Sequence, residues 1–196
     1  MTHKPFFAEV IEGALSSFKV LCWEWNNCAP FGAIVIAEKD SLALFGIVSS
    51  ITTGSSDPTR QPFAYQKTEK ELLRDHPHIF EFLQTTFTCK IIGFKQDSKN
   101  FKAQLPPQPA GIHTFVRLAT AEEQALVFQT DTFLYLLCSE LPPTVADELI
   151  LAVVRHKTEI TPLSNNELTA LTQNFASLVD NDYQRLKLFL KRLQQD

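Results

Sequence analysis

The residues able to do chemistry in this chain are few and dispersed. His76 and His78 flank Pro77, with Glu81 shortly after, a grouping with the right groups for general acid and base work. Its setting points elsewhere: Asp75-His-Pro77 reads as the restart of a helix, where histidine and carboxylate are ordinary surface and capping residues. The four cysteines, Cys22, Cys28, Cys89 and Cys138, contain no C-x-x-C pair and sit mostly within apolar stretches. Reduced, buried, structural thiols are therefore expected, and a metal centre is not. His3, His113 and His156 stand alone. Trp23 and Trp25, at alternate positions of an apolar run, suit either stacking on a base or sugar or packing on an outer face, and packing is the commoner use. Arg185, Lys187, Lys191 and Arg192 fall towards the end of a helical run, where they favour the helix C-terminus without any nucleic acid.

The familiar marks of nucleotide, acyl-transfer and zinc-protease chemistry are absent: no G-x-x-x-x-G-K-[ST], no G-x-G-x-x-G after a strand, no G-x-S-x-G and no H-E-x-x-H. Six glycines, none clustered, offer no backbone cradle for phosphate. No catalytic, cofactor-binding or metal-ligating residue is assigned, and the chain is expected neither to bind nor to hydrolyse ATP. A formal net charge of −4 and a pI near 5.7 repel a phosphate backbone, which makes nucleic acid a poor default partner. The start of the chain lacks a secretory pattern and no run of roughly twenty apolar residues is present, so a soluble, cytoplasmic protein without membrane insertion is the expectation.

At 196 residues and 44% hydrophobic, the chain can bury a substantial core. From Phe6 to Ile51 four short runs rich in Val, Ile, Leu and Phe are separated by brief turns, the pattern of a small antiparallel barrel. The runs are Phe7 to Glu12 closed by Gly13, Leu15 to Trp25, Gly32 to Ala37, and Leu42 to Ile51. In the second, Phe18, Val20 and Cys22 share one face and Leu21, Trp23 and Trp25 the other, which predicts a wall covered on its outside. Thr52 to Gln66 reads as a long loop. A helical insertion around 68–87 opens on the capping box Thr68-Glu-Lys-Glu71, restarts at Pro77, continues through Leu83 and Phe87, and would plug one barrel end. Cys89 to Phe94 and Ile112 to Leu118 complete six strands, joined by the stiff connector Gln104-Leu-Pro-Pro-Gln-Pro-Ala-Gly. Past Thr120 the sequence turns helical, with boxes at Thr120, Thr144 and Ser164. The fold class is α+β: a six-stranded antiparallel small barrel over 1–119 and a C-terminal helical subdomain over 120–196.

Three segments, Ala8-Glu-Val-Ile-Glu-Gly13, Pro30-Phe-Gly-Ala-Ile-Val-Ile36 and Leu44-Phe-Gly-Ile-Val-Ser-Ser-Ile51, give the region from Phe6 to Leu118 an order and spacing that resembles the HAS barrel. That barrel stands at the N-terminus of HerA-type DNA translocases and of the rotary ATP synthase α and β subunits. The resemblance implies a domain that caps an ATPase ring and offers a docking surface. With no ATPase domain following it here, docking is the role it leaves. The expected function is a non-enzymatic adaptor or assembly protein, with a partner protein or a second copy bound on the barrel and on the helical subdomain. A nucleic-acid-binding barrel is the alternative. Candidate contact residues are Trp23 and Trp25 on the barrel and Phe189 and Leu193 on the terminal helical segment. Tyr183, Leu186, Leu188, Leu190 and their neighbours make the apolar stripe of that segment wider than a core alone needs.

Overall fold

The computed structural model describes residues 6–57, 59, 62–97, 100–130, 132–179 and 182–193. Six antiparallel strands close into a barrel in the order β1-β2-β5-β4-β3-β6. They are β1 (Phe6–Gly13), β2 (Ser17–Cys22), β3 (Ile34–Lys39), β4 (Leu42–Ser55), β5 (Leu83–Gln96) and β6 (Phe115–Leu118). Closure gives each strand two neighbours around the barrel. Alternate residues point inward. Ala8, Val10, Phe18, Val20, Val35, Leu44, Val48, Phe87, Cys89 and Val116 fill the interior.

The helices are α1 (Glu69–Asp75), α2 (Ala121–Phe128), α3 (Thr132–Glu140), α4 (Pro143–Ile160), α5 (Asn165–Leu178) and α6 (Tyr183–Leu193), with a 3₁₀ turn at Pro77–Phe82. The capping boxes at Thr68, Thr120 and Ser164 form, each hydroxyl accepting from the N3 amide while the N3 Glu carboxylate accepts from the cap amide. Thr144 does not cap. Pro142 occupies the cap position of α4 and Pro143 its first turn, because the fixed φ of proline suits a helix start and draws it upstream of the threonine.

A second apolar cluster binds helices to barrel. It joins Ile34, Ile36, Phe45, Ile47 and Ile92, the outward residues of β3, β4 and β5, to Phe133, Leu134 and Leu137 of α3, Leu149 to Leu151, Val153 and Val154 of α4, Leu171 and Phe175 of α5, and Phe189 of α6. The covered wall is therefore β3–β4–β5 and not β2, which corrects the expectation drawn from Leu15 to Trp25. The reason is visible in the strands: β3 and β4 carry unbroken apolar runs, Ile34-Val-Ile-Ala37 and Leu44-Phe-Gly-Ile-Val48, whereas Ser17 and Lys19 interrupt the outer face of β2. The strand ends at Cys22, so Trp23 and Trp25 lie beyond it.

The insertion before β5 also differs from expectation. β4 runs on to Ser55 and β5 begins at Leu83, so a two-stranded ribbon, Thr53↔Thr85 to Ser55↔Leu83, projects past the last β2–β5 pair, Leu21↔Thr86. Leu83 and Phe87 belong to this strand and not to a helix. Thr85, Thr86 and Thr88 explain the change, since β-branched residues favour the pleat, and the Thr53 and Thr85 hydroxyls meet across it at 2.8 Å. Neither α1 nor the 3₁₀ turn buries a residue, so this insertion does not plug the barrel.

Candidate docking surface

With the helices on one side, the opposite wall, β6–β1–β2, stays open. Its outer face carries three aromatic rings in a row. Phe115 lies 5.6 Å from Phe6 and 5.6 Å from Trp23, the latter edge-on at 87°. Trp23 is 46% exposed and Phe115 41%. The backbone places them: Glu9 faces Phe115 in the β1–β6 ladder, and the Trp23 amide donates to the Phe7 carbonyl at 3.0 Å. One carboxylate locks the cluster. Glu9 accepts from Trp23 Nε1 at 3.0 Å and stands 3.1 Å from His113 Nδ1. Indole and phenyl rings held in fixed rotamers lose little entropy on being covered, a property shared by residues that dominate binding interfaces.

Of the cations on this wall, Arg117 is committed, while Lys19 of β2 forms no ion pair among the described residues. Arg117 donates two hydrogen bonds to Glu123, at 2.7 and 2.8 Å, and a longer one of 3.3 Å to Glu38. The Glu123 hydrogen bonds raise the Arg117 pKa, and Arg117 in turn lowers that of Glu123. Since Glu123 is also the N3 residue of the α2 capping box, a single side chain ties the last strand to the first helix of the C-terminal half. Lys90 is held by Glu140 at 2.9 Å. What remains for an incoming molecule is the aromatic strip, with the exposed Glu12 opposite Lys19 in the β1–β2 ladder.

The other sequence candidates are placed differently. Trp25 is half-buried against Phe80, with ring centroids 5.7 Å apart, and its carbonyl accepts from the Thr85 hydroxyl at 2.5 Å, so it anchors the β4–β5 ribbon. The His76 and His78 rings lie 6.1 Å apart, with Tyr65 against His76 at 5.2 Å, and neither bonds to Glu81 among the described residues. Phe189 is buried, stacked on Phe175 at 3.9 Å, while Leu193 packs half-buried on the same cluster. The exposed apolar residues of α6 are Tyr183 and Leu188. Lys191 and Arg192 do lie in the last turn of α6, whereas Arg185 does not; Arg185 and Arg192 also pair with Asp147 and Glu148 of α4, at 2.6 and 2.5 Å. Arg185 sits in the first turn of α6, where the dipole disfavours a cation, and the α4 carboxylate accounts for it instead.

The fold brings three of the four cysteines together inside the barrel. Burial, with a smaller contribution from the neighbouring Cys28, pushes the Cys22 thiol up to about 12. Burial likewise raises Cys28, and it raises Cys89 well above an ordinary thiol. The shared cause is the cost of a thiolate in an apolar interior beside other sulfurs. A rise from 9.0 to about 12 cuts the thiolate fraction about a thousandfold at neutral pH. We expect iodoacetamide at pH 7.5 to leave Cys22 and Cys89 unmodified in the folded chain and to label both in urea, as read by intact and peptide mass. Labelling of Cys22 at the rate of a free thiol without denaturant would contradict this. Among the described residues no group of His, Cys, Asp and Glu side chains is arranged to hold a metal ion. No helix among them is long and apolar enough to cross a membrane.

Neither a protein-family model nor a curated protein sequence matches the chain.

Proposed function

We propose that this chain is a non-enzymatic adaptor or assembly protein that docks a partner protein on the open β6–β1–β2 wall. The observation that carries the reading is the strip Phe6–Phe115–Trp23, pre-ordered by Glu9 and left uncovered when the helices occupy the other wall. The resemblance of the barrel to HAS barrels, which serve as docking platforms, is in keeping with it. The partner that fits is a protein offering an apolar plug. With Arg117 tied up in ion pairs, Lys19 is the one unpaired cation described on the strands of this wall, which weighs against a phosphate backbone as the occupant.

The test compares the wild-type chain with a Trp23→Ser/Phe115→Ser double variant, each used to purify bound proteins from the native cell with and without nuclease. The expected result is a defined protein whose recovery survives nuclease and whose affinity falls at least about tenfold in the variant, while the melting temperature moves by only a few degrees. A partner held equally by both chains would overturn the reading. Recovery abolished by nuclease would assign the wall to nucleic acid, and concentration-dependent dimers lost in the variant would assign it to a second copy.

A further inference from the structure

β4 outruns its neighbour β3. The β3–β4 ladder ends at Ile34↔Ile47, and the last contacts on that side are made by Val48, whose amide donates to the Ala33 carbonyl at 3.0 Å and whose carbonyl accepts from the Gly32 amide at 2.9 Å. Beyond Val48 no backbone bond reaches β4 from that side among the described residues. Towards β5 the register is unbroken from Ser50↔Thr88 to Ser55↔Leu83, and the Ser56 amide continues it onto the Phe82 carbonyl at 2.7 Å. Hydrogen-bonded positions alternate along an antiparallel ladder, so Ser50, Thr52, Gly54 and Ser56 turn their backbone groups to β5, and Ile51, Thr53 and Ser55 turn theirs outward. The amides and carbonyls of these three residues have no partner among the described residues.

The bare edge is also unguarded. Exposed edges are usually blunted by charge, by proline or by a bulge within the strand. Ser50-Ile-Thr-Thr-Gly-Ser55 carries no charge and no proline, and the irregularity of β4 nearest to it, between Val48 and Ser50, lies before it. Ile51, Thr52 and Thr53 are exposed. On the β5 side, by contrast, Trp25 stands against the ribbon, its carbonyl accepting from the Thr85 hydroxyl.

We propose that this edge pairs with the same edge of a second copy of the chain, antiparallel and two-fold, with Thr53 facing Thr53 on the axis. That register sets Ile51 opposite Ser55, so each outward residue meets an outward residue and every bare amide finds a bare carbonyl. The side chains agree with it. The Thr53 hydroxyl, 2.8 Å from that of Thr85, continues into a row Thr85-Thr53-Thr53-Thr85 across both copies, and cross-strand threonine pairs are favourable. On the other face Thr52 meets Gly54, which has no side chain to crowd it and open space where a Cβ would stand. A charged segment would oppose itself across such an axis, and this neutral one does not, which makes a second copy the matching occupant. The contact is separate from the β6–β1–β2 wall and does not rest on the role proposed for that wall.

The test is sedimentation equilibrium of the full chain from about 5 to 500 µM, read beside amide hydrogen exchange. A dimer is expected to form within that range, with the Ile51, Thr53 and Ser55 amides slowing as concentration rises and those of Thr52 and Gly54 protected throughout. Thr53→Pro removes the amide on the axis without touching a bond to β5, so it should weaken association at least about tenfold and keep the melting temperature within a few degrees. Whatever proline does to the strand, Thr53→Lys and Thr53→Glu chains should each stay monomeric and form a mixed dimer when combined. The Trp23→Ser/Phe115→Ser chain should dimerise as the wild type does. A wild-type chain still monomeric at about 500 µM would overturn the proposal and leave the edge to a strand of another protein. A dimer that Thr53→Pro and Thr53→Lys leave intact would overturn it too, as would one lost in the Trp23→Ser/Phe115→Ser chain, which would place the contact on the wall.

Discussion

Gly32→Ala is expected to cost about 3–5 kcal/mol and to lower the melting temperature by about 6–20 °C. Gly32 has φ +85°, a conformation costly for any residue with a Cβ, and it lies directly beneath α4. A Cβ there would stand 2.5 Å from Ala152 Cβ and 2.8 Å from the Ala152 carbonyl carbon, distances no side-chain rotation can relieve because the obstacle is the helix itself. Neither side can retreat. The Gly32 amide donates to the Val48 carbonyl at 2.9 Å, and His156 of α4 is fastened to the Phe31 carbonyl at 3.0 Å, while Leu149 to Val154 are buried against β3 and β4. Calorimetry on the variant would read the loss directly. Gly54→Ala is the control, since a Cβ at Gly54 meets nothing within 4 Å, and it should move the midpoint by no more than about 2 °C. An unchanged midpoint for Gly32→Ala would mean that α4 does not seat on this residue.

The second large effect is expected at Phe189. Its ring is 2% exposed and stacks on Phe175, itself fully buried, at 3.9 Å and 23°. Replacing it with serine removes an aromatic side chain from the helical core and leaves a cavity holding a hydroxyl, a change worth about 3–5 kcal/mol. Leu188, one residue away and 60% exposed, should tolerate serine within about 0.5 kcal/mol. Denaturant unfolding of the two variants, read beside oligomer mass and partner recovery, separates core from contact. Lower stability with association intact is the expected pattern for Phe189→Ser. Unimpaired stability with lost association would instead place Phe189 at an interface. The contrast matters because both residues belong to one apolar stripe in the sequence, and only the side each faces distinguishes them.

The strands and caps were legible because their signals are local. Gly13 and the runs from Phe6 to Ile51 mark strands by composition and punctuation over a few residues, and six such strands close into a barrel that gives each a neighbour on both sides. The Thr68, Thr120 and Ser164 boxes are satisfied within four residues of chain, so they form wherever the helix does. Thr144 shows the limit even of a local rule, since an adjacent proline pair competes for the same helix start and prevails.

Everything that concerns a site lies beyond that range. The choice of wall for the helices depends on matching an apolar face of β3, β4 and β5 to α3, α4, α5 and α6, a pairing of segments up to about 150 residues apart, as Ile34 and Phe189 in one cluster illustrate. That choice is what exposes Trp23 and buries Phe189, two residues that look alike as candidate contacts in the sequence. Trp25 resembled Trp23 by spacing, yet the chain leaves the strand at Cys22 and turns it onto Phe80. The meeting of Cys22, Cys28 and Cys89 has no sequence signature at all. Composition and periodicity report which surfaces must be buried, whereas contacts between distant segments select which of several equally apolar surfaces is covered and which is left for another molecule.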